Sequence, residues 1–162
     1  MTLRLITPPA IEPVTIAEFM QWGRIHASQQ EPSPGAVTVA LAGAGAGNVD
    51  NGQHRYTVTF QTAQGETQAG TISAPVTVAD KTVNGKVALS SIPLGGAVVT
   101  AREIYRTAAD ASTYLLLATI SDNTTTTYTD NTADSGLGAA APSVNTTTDP
   151  MLSMLITAAR RV

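Results

Sequence analysis

The sequence predicts a mainly β protein in which a β-sandwich is inserted between two short α-helices. Three observations carry this reading. Short alternating runs recur between residues 36 and 130, separated by Gly, Asn and Asp, which is the punctuation of a sandwich. The strongest helix-start signals stand near the two ends, at Thr15–Glu18 and Asp149–Pro150. Aromatic residues are 4% and charged residues 13% of the chain, so core and surface are built largely from small, β-branched and hydroxylated side chains, a composition that favours strands. The boundaries that follow are 1–35 for an arm and first helix, 36–145 for the β domain and 146–162 for the second helix.

In the first segment, Thr15 and Glu18 form a Thr-x-x-Glu capping box, with Val14 and Phe19 spaced as a hydrophobic staple. Ile16, Phe19, Met20 and Gly23 share one helical stripe, with Trp22 and Ile25 beside it. Pro32-Ser33-Pro34-Gly35 cannot continue a helix, which places its end near His26.

The middle segment reads as strand after strand. Ala36 to Leu41 alternates apolar and small residues. In His54 to Gln61, His54, Tyr56, Val58 and Phe60 take one face and Arg55, Thr57, Thr59 and Gln61 the other. Gln64-Gly65 turns the chain into a strand over Glu66 to Ile72. Pro75 to Ala79, Lys86 to Ile92, Val98 to Thr107, Tyr114 to Ile120 and Thr125 to Thr129 continue the series. Asn84-Gly85 suits a tight turn.

In the last segment Asp149 is an N-cap and Pro150 fits the first helical position. Met151, Leu152, Leu155, Ile156 and Ala159 form an apolar stripe, and Arg160-Arg161 complements the helix dipole.

Composition excludes several functions. A 43% hydrophobic fraction supports a packed core, which argues against wholesale disorder. A net charge of −3 offers no general attraction to nucleic acid, and no sequence-specific nucleic-acid binding is expected. The absence of cysteine removes disulfides, thiolate catalysis and cysteine metal sites. No apolar run approaches membrane-spanning length and no export signal is evident, so no membrane contact is expected and synthesis is expected in the cytoplasm.

Candidate chemistry is sparse. Gly43-Ala44-Gly45-Ala46-Gly47 lacks the sixth-position glycine of a dinucleotide loop, where Asn48 stands, and reads as a flexible loop. Asp122, Asp130 and Asp134 offer oxygen ligands for calcium but match no loop pattern, and turn formation explains them as well. His26 and His54 have no acidic residue at ligand spacing. His54 is expected on the inner or rim face of its strand. There is no Gly-x-Ser-x-Gly nucleophile turn. Arg102 and Arg106 flank Ile104 and could grip an anion; a solvated strand edge is the commoner use of such residues. The expectation is no enzyme, with no catalytic, cofactor or metal site.

Two resemblances emerge from these motifs. Glu12-Pro13-Val14-Thr15-Ile16-Ala17-Glu18 and Asp149-Pro150-Met151-Leu152-Ser153-Met154-Leu155-Ile156-Thr157-Ala158-Ala159-Arg160 resemble the two helix motifs of the head–tail connector (adaptor) family of long-tailed phages, in the family's order. The β domain sits where that family has a short loop, and the family's later helices have no counterpart before Val162. The middle segment resembles the immunoglobulin-like β domains of phage structural proteins, with Asn48-Val49-Asp50-Asn51-Gly52, Gly65-Glu66-Thr67 and Ile104-Tyr105-Arg106-Thr107 as landmarks. Val98 to Thr107, Tyr114 to Ile120 and Thr127-Tyr128-Thr129-Asp130 resemble the middle strands of a fibronectin type III domain. His54 to Thr62 with Gly65-Glu66-Thr67 resembles its last hairpin, here placed first as in a circular permutation.

The connector resemblance implies a virion structural protein of the neck, assembled in the host cytoplasm. It implies a homo-oligomeric ring that contacts the portal protein and tail-side neck proteins. The interface residues expected are Phe19, Met20, Trp22, Leu152, Leu155, Ile156, Arg160 and Arg161. The sandwich would project outward, where its Thr-rich surface could touch capsid or host glycans. The alternative is an adhesion or carbohydrate-binding module of a tail or surface protein, which exposed aromatics would favour.

Overall fold

The computed structural model describes residues 30–147, and these fall within one compact unit. In chain order the elements are β1 (Thr38–Leu41), β2 (Gly52–His54), β3 (Tyr56–Thr62), β4 (Gly65–Glu66) and β5 (Val76–Val78). A short helix α1 (Lys81–Asn84) follows, then β6 (Val87–Ser90), β7 (Val99–Thr107), β8 (Tyr114–Ile120), β9 (Tyr128–Asp130) and a 3-10 turn at Asp134–Gly136. The expected terminal helices lie outside the described residues.

Among the described residues the strands form three antiparallel sheets, ordered β1-β6-β9, β2-β5 and β4-β3-β7-β8. Val87 and Leu89 from the first sheet, Val76 and Val78 from the second, and Tyr56, Val58, Ile104 and Ile120 from the third meet in one apolar cluster. The mainly β expectation is therefore met. The branched, medium-sized side chains that the composition supplied fill this core.

The run His54 to Gln61 is not one strand. Arg55 breaks it: Gln53 pairs with Thr77 on β5, whereas Tyr56 pairs with Arg106 on β7. At the break the Arg55 backbone N–H donates to the Thr107 hydroxyl (3.1 Å), so its hydrogen bond is satisfied outside a ladder.

The strand expected over Glu66 to Ile72 stops at Glu66, yet the chain continues alongside β3. Backbone N–H groups of Thr67, Gly70 and Ser73 donate to Phe60, Val58 and Tyr56. Coming back, the N–H groups of Phe60 and Tyr56 donate to the hydroxyls of Thr67 and Ser73 rather than to carbonyls (2.9 and 3.0 Å). Side-chain oxygen thus replaces main-chain oxygen on one side of the pairing. This is the competition that makes Ser and Thr ambiguous at sequence level.

Asn84-Gly85 does not make a hairpin turn; it ends α1. Asp80 caps that helix through its carboxylate to Thr82 N (2.8 Å). Gly85 then runs against Gly47, where Gly47 N donates to Lys81 O, Val49 N to Gly85 O and Gly45 N to Val83 O. A Cβ on Gly47 would collide with the Gly85 carbonyl, so both glycines permit a close backbone approach. The 43–47 segment, expected as a flexible loop, is in this way tied along its length to α1.

The described chain closes on itself. Glu31 N donates to the Thr147 hydroxyl (2.9 Å), and the Asn145 amide donates back to Glu31 O (2.8 Å). The Glu31 carboxylate also accepts from Gly96 N (2.6 Å), anchoring this closure to the loop before β7. Just upstream, Ala139 and Ala141 bond to Leu116 and Tyr114, covering the outer edge of β8. An edge covered in this way offers no template for further strands.

Candidate functional site

The most concentrated polar chemistry sits inside the domain, on β7. Arg102, Ile104 and Arg106 alternate with outward residues and so share the inner face, opposite Phe60, Val58 and Tyr56. Both arginines are fully buried. This corrects the expectation of a solvated strand edge: β7 is an interior strand of its sheet, so an exposed-edge role is closed to it.

Arg106 is the hub. Its Nη1 contacts Asp130 Oδ2 and its Nη2 contacts Asp134 Oδ1, each at 2.7 Å, and Nη1 also donates to Thr132 O. Asp130 is itself fully buried and accepts from the Tyr56 hydroxyl (2.9 Å) and Thr132 N (2.9 Å). Asp134 accepts from Ala109 N (2.8 Å), and its own N–H donates to Asp50. Asp50 in turn meets Lys81 Nζ at 2.6 Å. A chain of charges thus links α1, the loop before β2, β7, β9 and the 3-10 turn. Arg106 Nε is the buried side-chain nitrogen without a partner among the described residues.

At the other end of the inner face, Arg102 reaches Asp122 Oδ1 (2.9 Å), Asp122 O (3.0 Å) and Pro93 O (3.2 Å). The Asp122 carboxylate also accepts from Thr125 N and Thr124 N, both at 2.8 Å. These backbone donors hold its carboxyl far below the usual carboxylate range. Hydrogen bonds from Lys81 and Asp134 N likewise lower Asp50.

These contacts bear on the calcium reading. Asp122 lies with Arg102 and does not join Asp130 and Asp134, which lie with Arg106. Each of the three carboxylates is occupied by N–H donors, the opposite of what a bound cation needs. His54 is buried, in keeping with an inner position, and its ring nitrogens face the carbonyls of Asp50 and Thr107. Neither nitrogen is turned toward a hydroxyl that it could activate.

A second polar group occupies the opposite face of the same sheet. Glu66 accepts from Thr59 and from the Tyr105 hydroxyl (2.8 Å), and Glu103 accepts from Thr119 (2.6 Å). Burial, with the Glu66 charge nearby, raises the Glu103 carboxyl. Burial also pushes the Tyr105 and Tyr56 phenols far above their ordinary range, with Glu66 and Asp130 reinforcing it. The sign of the consequence follows directly. A phenol whose folded pKa is raised contributes stability that is fully present below the unfolded value near 10 and is lost as pH rises above it. We expect urea unfolding to show stability falling above about pH 10, and the fall to be shallower in Tyr105→Phe. An unchanged slope in that variant would mean the phenol ionises in place.

The interface residues expected from sequence (Phe19, Met20, Trp22, Leu152, Leu155, Ile156, Arg160 and Arg161) lie outside the described residues. Sequence reasoning missed the interior role of Arg102 and Arg106, although period two placed both on the face of Ile104. Comparison of the chain with protein-family models and with curated proteins found no match.

Proposed function

We propose that this chain is a non-enzymatic structural protein of a long-tailed phage virion, a head–tail connector ring subunit bearing a surface β-sandwich. The observation that carries the reading is the closure between Glu31 and Asn145–Thr147. A domain that begins and ends at one place can be inserted between two segments without driving them apart, and insertions succeed at such points. That is what the two connector-like helix motifs, on either side of the β domain in sequence, require of it. The sandwich itself we read as immunoglobulin-like, a permuted fibronectin type III arrangement in which the β3–β4 hairpin precedes β7, β8 and β9. Antiparallel sheets sharing one apolar core support a sandwich.

In this reading the helices carry assembly, and the partners are further copies of the chain, the portal protein and tail-side neck proteins. The adhesion reading has less support. Sugar binding by stacking needs exposed rings, whereas Tyr56, Phe60 and Tyr105 are buried and Tyr114 and Tyr128 are half-buried.

The test is incorporation into particles. Trp22→Ala should weaken association by about 2 kcal/mol or more if the indole is a central anchor, and Leu155→Asp should abolish incorporation. Both should leave the β domain folded. Normal incorporation of both, with loss only on substitutions of exposed sandwich residues such as Val98, sinks the connector assignment.

A further inference from the structure

We infer that the strap over β8, residues 138–147, is swapped between two copies of the chain, each lending its strap to the β8 edge of the other. Within one copy the strap is held chiefly by its backbone. Leu116 N donates to Ala139 O, Gly138 N to Leu116 O and Ala141 N to Tyr114 O; farther on, Ala69 N donates to Pro142 O and Thr146 N to Glu66 O. Its side chains add little. No residue from Asn131 to Thr146 is buried, and Thr147 is the first that is. A segment with solvent-facing hydrogen bonds and few buried apolar contacts opens at the low end of the stability range.

What the strap covers is a strand edge with no other guard. β8 reads Tyr114-Leu115-Leu116-Leu117-Ala118-Thr119-Ile120, without the charge or proline that keeps an edge from pairing. The cover reaches only the Tyr114 to Leu116 half. Among the described residues, Ala118 to Ile120 pair with β7 and with no strand on their other side. That free half-edge lets an incoming strand begin to pair before the resident strap has left.

The fit already present identifies the occupant. The strap lies in register on β8, with Ala140 opposite Leu115. The same segment of a second copy makes the same bonds, so a swap sacrifices no contact. Neither β8 nor residues 135–147 carry a charge, so identical copies do not repel there. The swing also has a defined start. Asp134 is pinned by Arg106 and Ala109 N, while Ser135 and Gly136 beyond it are exposed. The inference does not rest on the virion reading, since it concerns contacts within the β domain.

The chain has no cysteine, so single cysteines report the swap cleanly. Leu115 and Ala140 form a non-hydrogen-bonded pair, flanked by the Leu116–Ala139 and Ala141–Tyr114 bonds, a spacing that a disulfide spans. Full-length Leu115→Cys, labelled with heavy nitrogen, and full-length Ala140→Cys are mixed equally, held concentrated, oxidised and analysed by mass spectrometry. The swap predicts disulfide dimers that are mostly mixed, well above the statistical share, with a mixed fraction that grows with incubation. Dimers in statistical proportions, or none from chains whose circular dichroism matches the unaltered protein, overturn the inference. Hydrogen exchange on the unaltered chain keeps it falsifiable should a cysteine variant misfold. The amides of Leu116, Gly138 and Ala141 should lose protection together, at least about tenfold faster than those of Thr57 and Tyr105, paired between β3 and β7. Protection equal to that central pair means a strap that does not open, and overturns the inference.

Discussion

Arg106→Met should cost the protein about 3–5 kcal/mol of unfolding free energy, the usual penalty for breaking a buried ion pair by removing one partner. Arg106 and Asp130 have no exposed side-chain surface, and Asp134 has little. Met approximates the length and apolar stem of Arg but donates nothing. Asp130 then keeps only the Tyr56 hydroxyl and Thr132 N, Asp134 keeps only Ala109 N, and two carboxylates face one another with no cation between them. Domains of this size are stable by about 5–15 kcal/mol, so the loss consumes a large fraction of the total. Guanidinium unfolding followed by far-ultraviolet circular dichroism reads it directly. Adding Asp130→Leu and Asp134→Leu to Arg106→Met should recover much of the loss, because the penalty lies in the unpaired charges more than in the missing attraction. A loss below about 1 kcal/mol in the single variant would mean that the cluster is solvated in solution.

How much of this was legible in the sequence depends on the kind of signal. The strand-rich middle was legible, because short runs rich in apolar and β-branched residues such as Val98 to Thr107 and Tyr114 to Ile120, separated by turn-forming residues, are a local signal. The break at Arg55 was not, because an unbroken alternation says nothing about which partner each half will choose. Nor was the extension of β4, where Thr67 and Ser73 hydroxyls complete the pairing that backbone carbonyls would otherwise make.

The helix α1 spans four residues, too few to show any periodicity. Its cap Asp80 and terminal Gly85 were present in the sequence, but Asn84-Gly85 also satisfies the rule for a turn. Arg102 and Arg106 are the instructive case. Their spacing from Ile104 placed them inward, while charge argued for the surface. The conflict is resolved by Asp122, Asp130 and Asp134, far enough along the chain that only the folded topology brings them back. The calcium candidates and the misplaced arginines were thus each other's partners, in two separate ion-pair groups on one face.

That arrangement sets the expectation for Ile104→Ala, which should destabilise the protein by about 2–5 kcal/mol, the range for large-to-small changes in a core. Ile104 is fully buried at the middle of β7 and pairs with Val58 on β3 and Ala118 on β8. The transfer contribution from the lost methyl and methylene groups is common to any such site. What varies is how far the neighbours can collapse into the space. Here they are held. Arg102 and Arg106 stand two residues either side on the same face; Asp122 fixes the first to the loop after β8, and Asp130 and Asp134 fix the second to β9 and the 3-10 turn. The upper part of the range is therefore expected, with Ile104→Val costing about 0.5–1.5 kcal/mol. Leu117 packs against the core from β8 yet stays partly exposed, so Leu117→Ala leaves less of a cavity and should cost less than Ile104→Ala. Unfolding of the three variants under one set of conditions gives the order. Equal losses at positions 104 and 117 would show that the inner face relaxes freely, and that the two arginines do not hold the core between them.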